Sequence, residues 1–241
     1  MTGIRKGGTS CFTCQNRDRT EWCVLKPDEI KLLDEGRVTR EYQPGEIVFH
    51  EGDPARGIFC VESGSVGIRK SDADGHSVLL YLSNAGDTLG YRAFLAGENY
   101  NASAEVLERS RICQIDATTV RTILQHNPEL GLRYLTLISR NLGKAENRIL
   151  QNTTLSVRAR FAHLLAVLLE RYAERSGGGP IEFDLPLSRQ DMASMIGTTP
   201  ESLSRTIAKL ETDKIVRLSG RRLTVPDVEM LVREFEPDAM I

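Results

Sequence analysis

Five cysteines are the residues of this chain with the most distinctive chemistry, and three of them crowd the N-terminus. Cys11, Cys14 and Cys23 lie close together, whereas Cys60 and Cys113 are far along the chain. The segment before Cys11 lacks the apolar run of a secretory leader, so we expect a cytoplasmic protein. Clustered cysteines in such a protein more often bind a metal or act as redox centres than form structural disulfides.

Other roles for these cysteines stay open from the residues alone. Cys11-Phe-Thr-Cys14 could belong to a zinc site built from four thiolates, could switch between dithiol and disulfide, or could be unreactive. Cys60 lies in the apolar run from Ile58 to Val61 and is interpreted as a buried strand residue. The four histidines show no ligand spacing, so a haem sensor is not indicated.

A second group of functional residues lies near the C-terminus, where two short helices are predicted. Ser188-Arg-Gln-Asp191 has the form of a capping box, and Gly197 is a natural helix stop. Thr199 and Pro200 then suit the cap and first position of a second helix. Two short helices joined by a tight glycine turn predict a helix-turn-helix that reads DNA.

The second helix carries polar side chains with base-reading chemistry on one face. Arg205 can fork to a guanine, Glu201 can accept from an amino group, and Ser204 can donate or contact a thymine methyl. The alternative is an ordinary helical surface with a Glu201–Arg205 ion pair. We expect the DNA contacts to come from seven residues: Arg189, Thr199, Glu201, Ser204, Arg205, Lys209 and Arg221.

Charge is distributed unevenly. Between Pro186 and Val225 there are seven basic and four acidic side chains, a local +3, although the whole chain carries a net charge of −2. The remainder therefore sums to −5. A locally basic module on an acidic body suits a partner rich in phosphate, because only the docking face must meet phosphates, although charge alone also fits an ordinary mixed-charge surface. The pair Arg221-Arg222 follows Ser219-Gly220 in a predicted β-hairpin wing.

The rest of the chain divides by pattern into a sheet region and a helical region. Short alternating runs broken by glycine, from about Val38 to Ile115, predict a small antiparallel barrel or roll. From about Pro128 to Arg175 the pattern predicts long helices. The predicted class is α+β, with residues 1–30 as a cysteine-rich cluster-binding segment, 31–127 as a β-roll sensor domain, 128–155 as a dimerisation helix and 156–241 as a winged helix-turn-helix domain.

Apolar residues at alternating spacings of three and four favour a homodimer formed by that long helix. The alternative is an amphipathic helix that lies on its own barrel. The expected interface residues are Leu135, Ile138, Leu142, Ala145, Ile149 and Asn152.

Several function classes are not indicated. No apolar stretch reaches the roughly 18 residues that span a bilayer. No nucleophile–base pair, phosphate loop or dinucleotide fingerprint is present, so we do not expect an enzyme.

Taken together, the order of roll, long helix, helix-turn-helix and wing resembles the Crp/Fnr family of bacterial transcription regulators. The segment from Pro44 to Asp53 and Glu62-Ser-Gly-Ser-Val66 look like the opening turns of the cyclic-nucleotide-binding roll. Glu201-Ser-Leu-Ser-Arg205 looks like the Fnr-type DNA-reading signature, which implies inverted repeats with TTGAT-like half-sites. Double-stranded DNA, a second copy of the chain and RNA polymerase are the expected partners.

The resemblance also implies how the protein is controlled. Tyr91 and Ala102 stand about where nucleotide binders of this fold carry a glutamate and an arginine, so cyclic nucleotide is not expected. A small ligand in the roll near Gly90 to Ser103 remains an alternative. Similarity to the oxygen-sensing Fnr branch implies a [4Fe–4S] cluster held by Cys11, Cys14, Cys23 and Cys113.

Overall fold

A computed structural model describes residues 9–75, 77–172 and 180–236 of the chain. It divides into two compact units, the first up to Gly143 and the second from Lys144 onward. The predicted α+β class is confirmed, with an antiparallel roll, a long helix and a C-terminal helix-turn-helix with a strand wing. Residues 173–175, expected to end a helix, lie outside the described residues.

The first unit contains two 3₁₀ turns, Arg17–Arg19 and Glu21–Val24, followed by helices and strands in this order. They are α1 (Pro27–Glu35), β1 (Arg37–Tyr42), β2 (Ile47–Phe49), β3 (Gly57–Ser63), β4 (Ser65–Ser71), β5 (Ser77–Asn84), β6 (Thr88–Leu89), α2 (Tyr91–Ala96), β7 (Ser103–Val106), β8 (Ser110–Asp116) and α3 (Ala117–His126). The long helix α4 (Pro128–Thr154) follows and continues past the division between the units.

Two four-stranded antiparallel sheets form the roll, in the orders β1-β8-β3-β6 and β2-β7-β4-β5. Strand residues alternate between two apolar clusters because successive side chains point to opposite faces of a sheet. Phe59, Val61 and Ile112 belong to the cluster inside the roll. Ile58 and Ile115 belong to a second cluster, which α1, α3, α4 and the turn containing Trp22 share. The β1-β8-β3-β6 sheet is therefore covered on both faces.

The start of α4 is tied to the N-terminal segment by the buried side chain of Asn127. Its Oδ1 accepts from the N–H of Leu130 at 3.2 Å and so caps the helix. Its amide nitrogen donates to the carbonyl of Val24 at 3.2 Å and to Glu29 Oε2 at 2.8 Å. One side chain thus connects the segment after Cys23, helix α1 and the first turn of the long helix.

The second unit packs its remaining elements around α5 (Val157–Tyr172), in which Phe161, Leu164, Leu165 and Leu168 are buried. The other elements are β9 (Ile181–Asp184), α6 (Arg189–Met195), α7 (Pro200–Thr212), β10 (Arg217–Ser219), β11 (Arg222–Val225) and α8 (Val228–Arg233). The predicted wing hairpin, β10 and β11, gains a third strand, β9, which the sequence pattern did not reveal.

An ion cluster fixes the ends of several of these helices. Arg158 makes two hydrogen bonds to Glu234, at 2.7 and 2.8 Å, and a third to Asp213 at 2.6 Å. Since Asp213 directly follows α7, Arg158 ties the end of that helix to α5 and α8. Within the described ranges, no helix is both long and apolar enough to cross a membrane.

Replacing Asn127 with alanine should lower the free energy of unfolding by about 1–3 kcal/mol, because buried polar groups lose their partners and α4 loses its cap. Denaturant unfolding of the full chain would measure the change. Asn147→Ala, at an exposed position of the same helix, is the control and should change stability by less than about 0.5 kcal/mol. Equal stability of the two variants would contradict this role for Asn127.

Candidate nucleic-acid interface and sensor site

The helix-turn-helix is built from local capping interactions. Ser188 Oγ accepts from the N–H of Asp191 at 3.1 Å, and Asp191 Oδ2 accepts from the N–H of Ser188 at 3.2 Å, so the predicted capping box is present. Gly197 ends α6 with φ +63°, a left-handed conformation that glycine adopts without strain. Thr199 Oγ1 accepts from the N–H of Ser202 at 3.2 Å and caps α7. These bonds set the angle between the two helices locally.

Helix α7 buries one face and exposes the other. Leu203, Ile207 and Leu210 are buried, whereas Glu201 and Arg205 are exposed. No ion pair joins Glu201 to Arg205 among the described contacts, so the arrangement differs from the simple salt-bridged surface considered above. The N–H donors of the Arg205 guanidinium are therefore available to another molecule.

Local contacts at the start of α7 fix the ionisation of Glu201 and the hydrogen bonding of Ser204. The pKa of Glu201 is lowered by its own backbone N–H, by the hydroxyl of Thr199 and by the charge of Arg205, so it is an ionised acceptor at neutral pH. Ser204 Oγ donates to the carbonyl of Pro200 at 2.8 Å. The hydroxyl proton is therefore engaged in a hydrogen bond within the helix. Toward DNA the hydroxyl can act as an acceptor, whereas the sequence alone had also allowed it to act as a donor.

Basic side chains surround this face to different extents. Arg189 and Lys209 are exposed on α6 and α7. Arg221, at the tip of the wing, donates through Nε to the carbonyl of Leu185 at 3.0 Å, which orients it. Arg222 instead pairs with Glu182 and Asp184, so it differs from Arg221 as a candidate phosphate contact.

In the first unit, strand register forms a polar row across the β1-β8-β3-β6 sheet. Cys113 on β8 lies opposite Thr39 on β1 and opposite Cys60 on β3, and Cys60 in turn lies opposite Thr88 on β6. Side chains directly opposite one another share a face of the sheet. Cys113 Sγ lies 3.3 Å from Thr39 Oγ1, and all five cysteines are free thiols of intermediate exposure.

The ion pair between Asp34 and Arg37 holds the segment around Cys11 against this row. Asp34 Oδ1 accepts from the N–H of Cys11 at 2.6 Å and from Arg37 Nε at 2.9 Å. Arg37 also donates to the carbonyl of Thr9 at 2.7 Å, and its Nη1 lies 3.9 Å from Cys113 Sγ. One guanidinium therefore contacts both the N-terminal segment and β8.

Burial shapes the ionisation of these groups. It raises the pKa of Cys11 to about 12, despite the opposing charge of Arg37, and it raises the pKa of Cys113 and of Cys60. For Asp34, burial alone would raise the pKa, but the N–H of Cys11 and the guanidinium of Arg37 outweigh it and lower the pKa. The carboxylate is therefore ionised when it holds the cysteine segment.

Cys14 and Cys23 lie in the turns between Cys11 and α1. The carbonyl of Cys14 accepts from the N–H of Arg17 at 3.3 Å, and the N–H of Cys23 donates to the carbonyl of Thr20 at 3.2 Å. In the described parts of the chain, no group of three or more histidine, cysteine, aspartate or glutamate side chains is gathered closely enough to hold a metal ion. The four predicted ligands thus share one region without forming a closed site.

The cysteine segment contacts the long helix through aromatic rings. Trp22, next to Cys23, meets Tyr134 of α4 edge-on, with ring centroids 6.0 Å apart. Tyr134 stacks on Tyr91, whose hydroxyl accepts from Asn141 Nδ2 at 2.7 Å. The position expected to carry a nucleotide-binding glutamate is therefore occupied by a tyrosine that binds α4.

Helix α4 carries an exposed apolar stripe. Leu135, Leu142 and Ile149 are 60%, 60% and 66% exposed, and Ala145 and Asn152 are also exposed. Ile138 differs from the other predicted interface residues, because it is half-buried against the apolar cluster of its own unit. Leu132 and Leu150 are similarly exposed, although they were not among the interface residues predicted from the spacing.

The roll contains a small cavity next to α2. Its volume is about 140 Å³, below the roughly 300 Å³ at which ligand pockets usually begin. Phe49 stacks on Tyr100 at 4.1 Å within its lining, and Ala102 is buried where an arginine would be needed. Lys70 and Arg92 also line it.

Comparison with known proteins gives a consistent result. The cyclic nucleotide-binding domain model matches residues 39–127, and the Crp-like helix-turn-helix domain model matches residues 159–234. The transcriptional activator protein FnrL of Cereibacter sphaeroides is 28% identical over 235 residues, which cover 95% of this chain and 93% of that protein. The chain belongs to the Crp/Fnr family of transcription regulators.

Other relatives agree with this assignment. The fumarate and nitrate reduction regulatory protein of Escherichia coli K12 is 25% identical, over 95% of this chain and 92% of its own length. The structure of FixK2 from Bradyrhizobium japonicum matches with a TM-score of 0.70 at 22% identity, over 81% of this chain and 95% of that one, and supports the fold. This Crp/Fnr protein is thus a DNA-binding transcription regulator, not an enzyme.

Several residues of this Crp/Fnr protein became visible only in three dimensions. The spacing of Asp34 and Arg37 suited an ordinary surface pair, and nothing in the sequence connected it to Cys11 or Cys113. Asn127 and Trp22 likewise gave no sequence signal of contact with the segment they join. Cys60 was correctly placed in a strand, but its position opposite Cys113 depends on register, which spacing alone does not give.

Arg205→Ala should weaken binding to the preferred DNA site by about 1–3 kcal/mol and relax the preference at one base pair. Titration of a panel of single-base variants of the site, at fixed salt, would measure this. Lys209→Ala is the control and should weaken all the sequences about equally, with a shallower salt dependence. An equal loss on every sequence for Arg205→Ala would make Arg205 a phosphate contact.

Proposed function

We propose that this chain is a homodimeric cytoplasmic regulator of the Fnr type, controlled by a [4Fe–4S] cluster that senses oxygen, nitric oxide or redox state. The observation that carries the proposal is the anchoring of the cysteine segment by Asp34 and Arg37, next to Cys113. Relatives named fumarate and nitrate reduction regulatory proteins align over 92% and 95% of this chain and support the same proposal.

The residues present suit such a cluster chemically. Iron–sulfur clusters are held by four cysteine thiolates, and Cys11, Cys14, Cys23 and Cys113 supply that number from one region. Cys113 is close enough to Cys11 to add to the rise in the pKa of Cys11, and the charge of Arg37 opposes that rise. When bound, the cluster would supply reactivity toward oxygen. The chain's own part is to hold Cys14 and Cys23 in turns that can approach the other two thiols.

The path from this site to the proposed dimer helix uses contacts within the first unit. Trp22 packs on Tyr134, and Asn127 joins the carbonyl of Val24 to the first turn of α4. Rearrangement of the turn that contains Cys23 would therefore act directly on α4. In the proposed mechanism, ordering this turn favours pairing of the exposed stripe on α4 with that of a second copy, and its loss releases the pair.

The paired chain would present two α7 helices to DNA, about one helical turn apart. Arg205 would read a guanine, and Glu201 a cytosine or adenine amino group, in each TTGAT-like half-site. Arg189, Thr199, Lys209 and Arg221 would contact phosphates around them. Recruitment of RNA polymerase would follow as the regulatory output.

Three alternatives stand within the same family. Four thiolates could hold zinc instead, or the thiols could switch directly between dithiol and disulfide. A small ligand could occupy the roll, where Lys70 and Arg92 line the cavity. The size of that cavity and its aromatic filling favour control through the cysteine segment over control by cyclic nucleotide.

Anaerobic reconstitution tests the cluster. The full chain should take up iron and acid-labile sulfide in equal amounts and turn brown, and alanine at Cys11, Cys14, Cys23 or Cys113 should abolish most of that uptake. Iron, sulfide and zinc analysis with visible absorption would measure it. Cys60→Ala is the matched control and should retain the cluster. A colourless protein with one zinc per chain would overturn the iron–sulfur assignment.

Substitution on α4 tests the dimer. Leu142→Glu should weaken self-association at least 100-fold, because each of two copies loses burial worth about 1.5–3 kcal/mol and gains a buried charge. Sedimentation equilibrium of the reconstituted protein would give the association constant. Asn147→Glu, off the stripe on the same helix, should leave association unchanged. Equal association of both variants would place the interface elsewhere.

A further inference from the structure

The fifth cysteine faces the proposed sensor site. Cys60 and Ile58 share one face of β3, and Cys113 and Ile115 share the corresponding face of β8, because each pair is two residues apart in a strand. Ile58 and Ile115 both belong to the apolar cluster beneath the N-terminal segment, and Cys60 and Cys11 pack against that cluster. Cys60 is therefore directed to the same side of the sheet as the thiols of the proposed site.

The register places Cys60 directly opposite Cys113. Opposed residues of an antiparallel pair have Cα atoms about 4.5–5.5 Å apart, and disulfides need about 4.4–6.8 Å. The two strands can thus accept a bond between these thiols without moving apart. Both residues are of intermediate exposure, and both sulfurs are free thiols in this structure.

We propose that Cys60 and Cys113 form a cross-strand dithiol that hydroperoxides oxidise to a disulfide. The sulfur of one thiol takes an oxygen atom from the peroxide as the O–O bond breaks, and that thiol becomes a sulfenic acid. Hydrogen peroxide leaves as water, and an alkyl hydroperoxide leaves as an alcohol. The other sulfur displaces that oxygen as a second water and forms the S–S bond. Two thiol hydrogens and two electrons pass to the peroxide, so the step balances.

The modification has a regulatory consequence that rests on the proposed function. A Cys113 sulfur bonded to Cys60 has no thiolate to offer iron. Oxidised protein that has lost its cluster would therefore remain unable to rebuild it until a thiol reductant cleaves the bond. Cys60 would thus prevent reassembly of the cluster after oxidation and would not itself be a ligand.

Tryptic mapping separates the thiols cleanly. Cys60 lies in the peptide Gly57–Arg69, Cys113 in Ile112–Arg121, Cys11 and Cys14 together in Gly7–Arg17, and Cys23 in Thr20–Lys31, because trypsin does not cleave before Pro27. The metal-free full chain would be treated anaerobically with one equivalent of hydrogen peroxide, alkylated and digested. We expect peptides Gly57–Arg69 and Ile112–Arg121 to be linked, two hydrogens lighter than their sum, and to be separated by dithiothreitol.

Two variants make the result decisive. Cys60→Ser should lose the linked pair completely, whereas Cys14→Ser should retain it. Linkage of Ile112–Arg121 to Gly7–Arg17 instead, or recovery of Cys60 and Cys113 as separately alkylated peptides, would overturn the proposal. Iron and sulfide uptake by the peroxide-treated wild type, expected to be lost and then restored by dithiothreitol, tests the consequence. If the protein never binds a cluster, the peptide linkage still reports on the dithiol alone.

Discussion

The contact on which the proposed sensor site of this molecule depends is the ion pair between Asp34 and Arg37. Asp34 accepts a hydrogen bond from the N–H of Cys11. Arg37 donates one to the carbonyl of Thr9, and its guanidinium lies close to Cys113 Sγ. The Arg37 side chain is 9% exposed and the Asp34 side chain 30%, so the pair is partly shielded from solvent and less screened than a fully exposed salt bridge. It holds the segment around Cys11 against the β1-β8-β3-β6 sheet.

That anchored segment matters because it is also joined to the long helix. Asn127 and the Trp22–Tyr134 contact form a short, well-packed path from the turn containing Cys23 to the first two turns of α4. Buried polar and aromatic contacts of this kind have few alternative arrangements, so a change at one end is transmitted rather than absorbed. The same residues that stabilise the fold would therefore link sensing to assembly.

The DNA-reading end follows a different physical logic. Its geometry comes from caps and a glycine turn within a few residues of each other, and Arg158 joins the end of α7 to α5 and α8. The helix face is left with an ionised Glu201 and an Arg205 that makes no Glu201 pair. Because these features are local, the reading head can stay rigid while its placement on DNA is set elsewhere.

The sequence by itself determined the roll, the long helix and the helix-turn-helix, because alternation, heptad spacing and capping residues act over short distances. It also identified Glu201, Ser204 and Arg205 as one face of a helix. Only the tertiary structure placed Cys60 opposite Cys113, brought Arg37 to Cys113 and to the segment around Cys11, used Asn127 as a link, added β9 to the wing and turned Ile138 toward its own core. Those facts depend on strand register and on contacts between residues far apart in the chain, and local spacing carries no information about either.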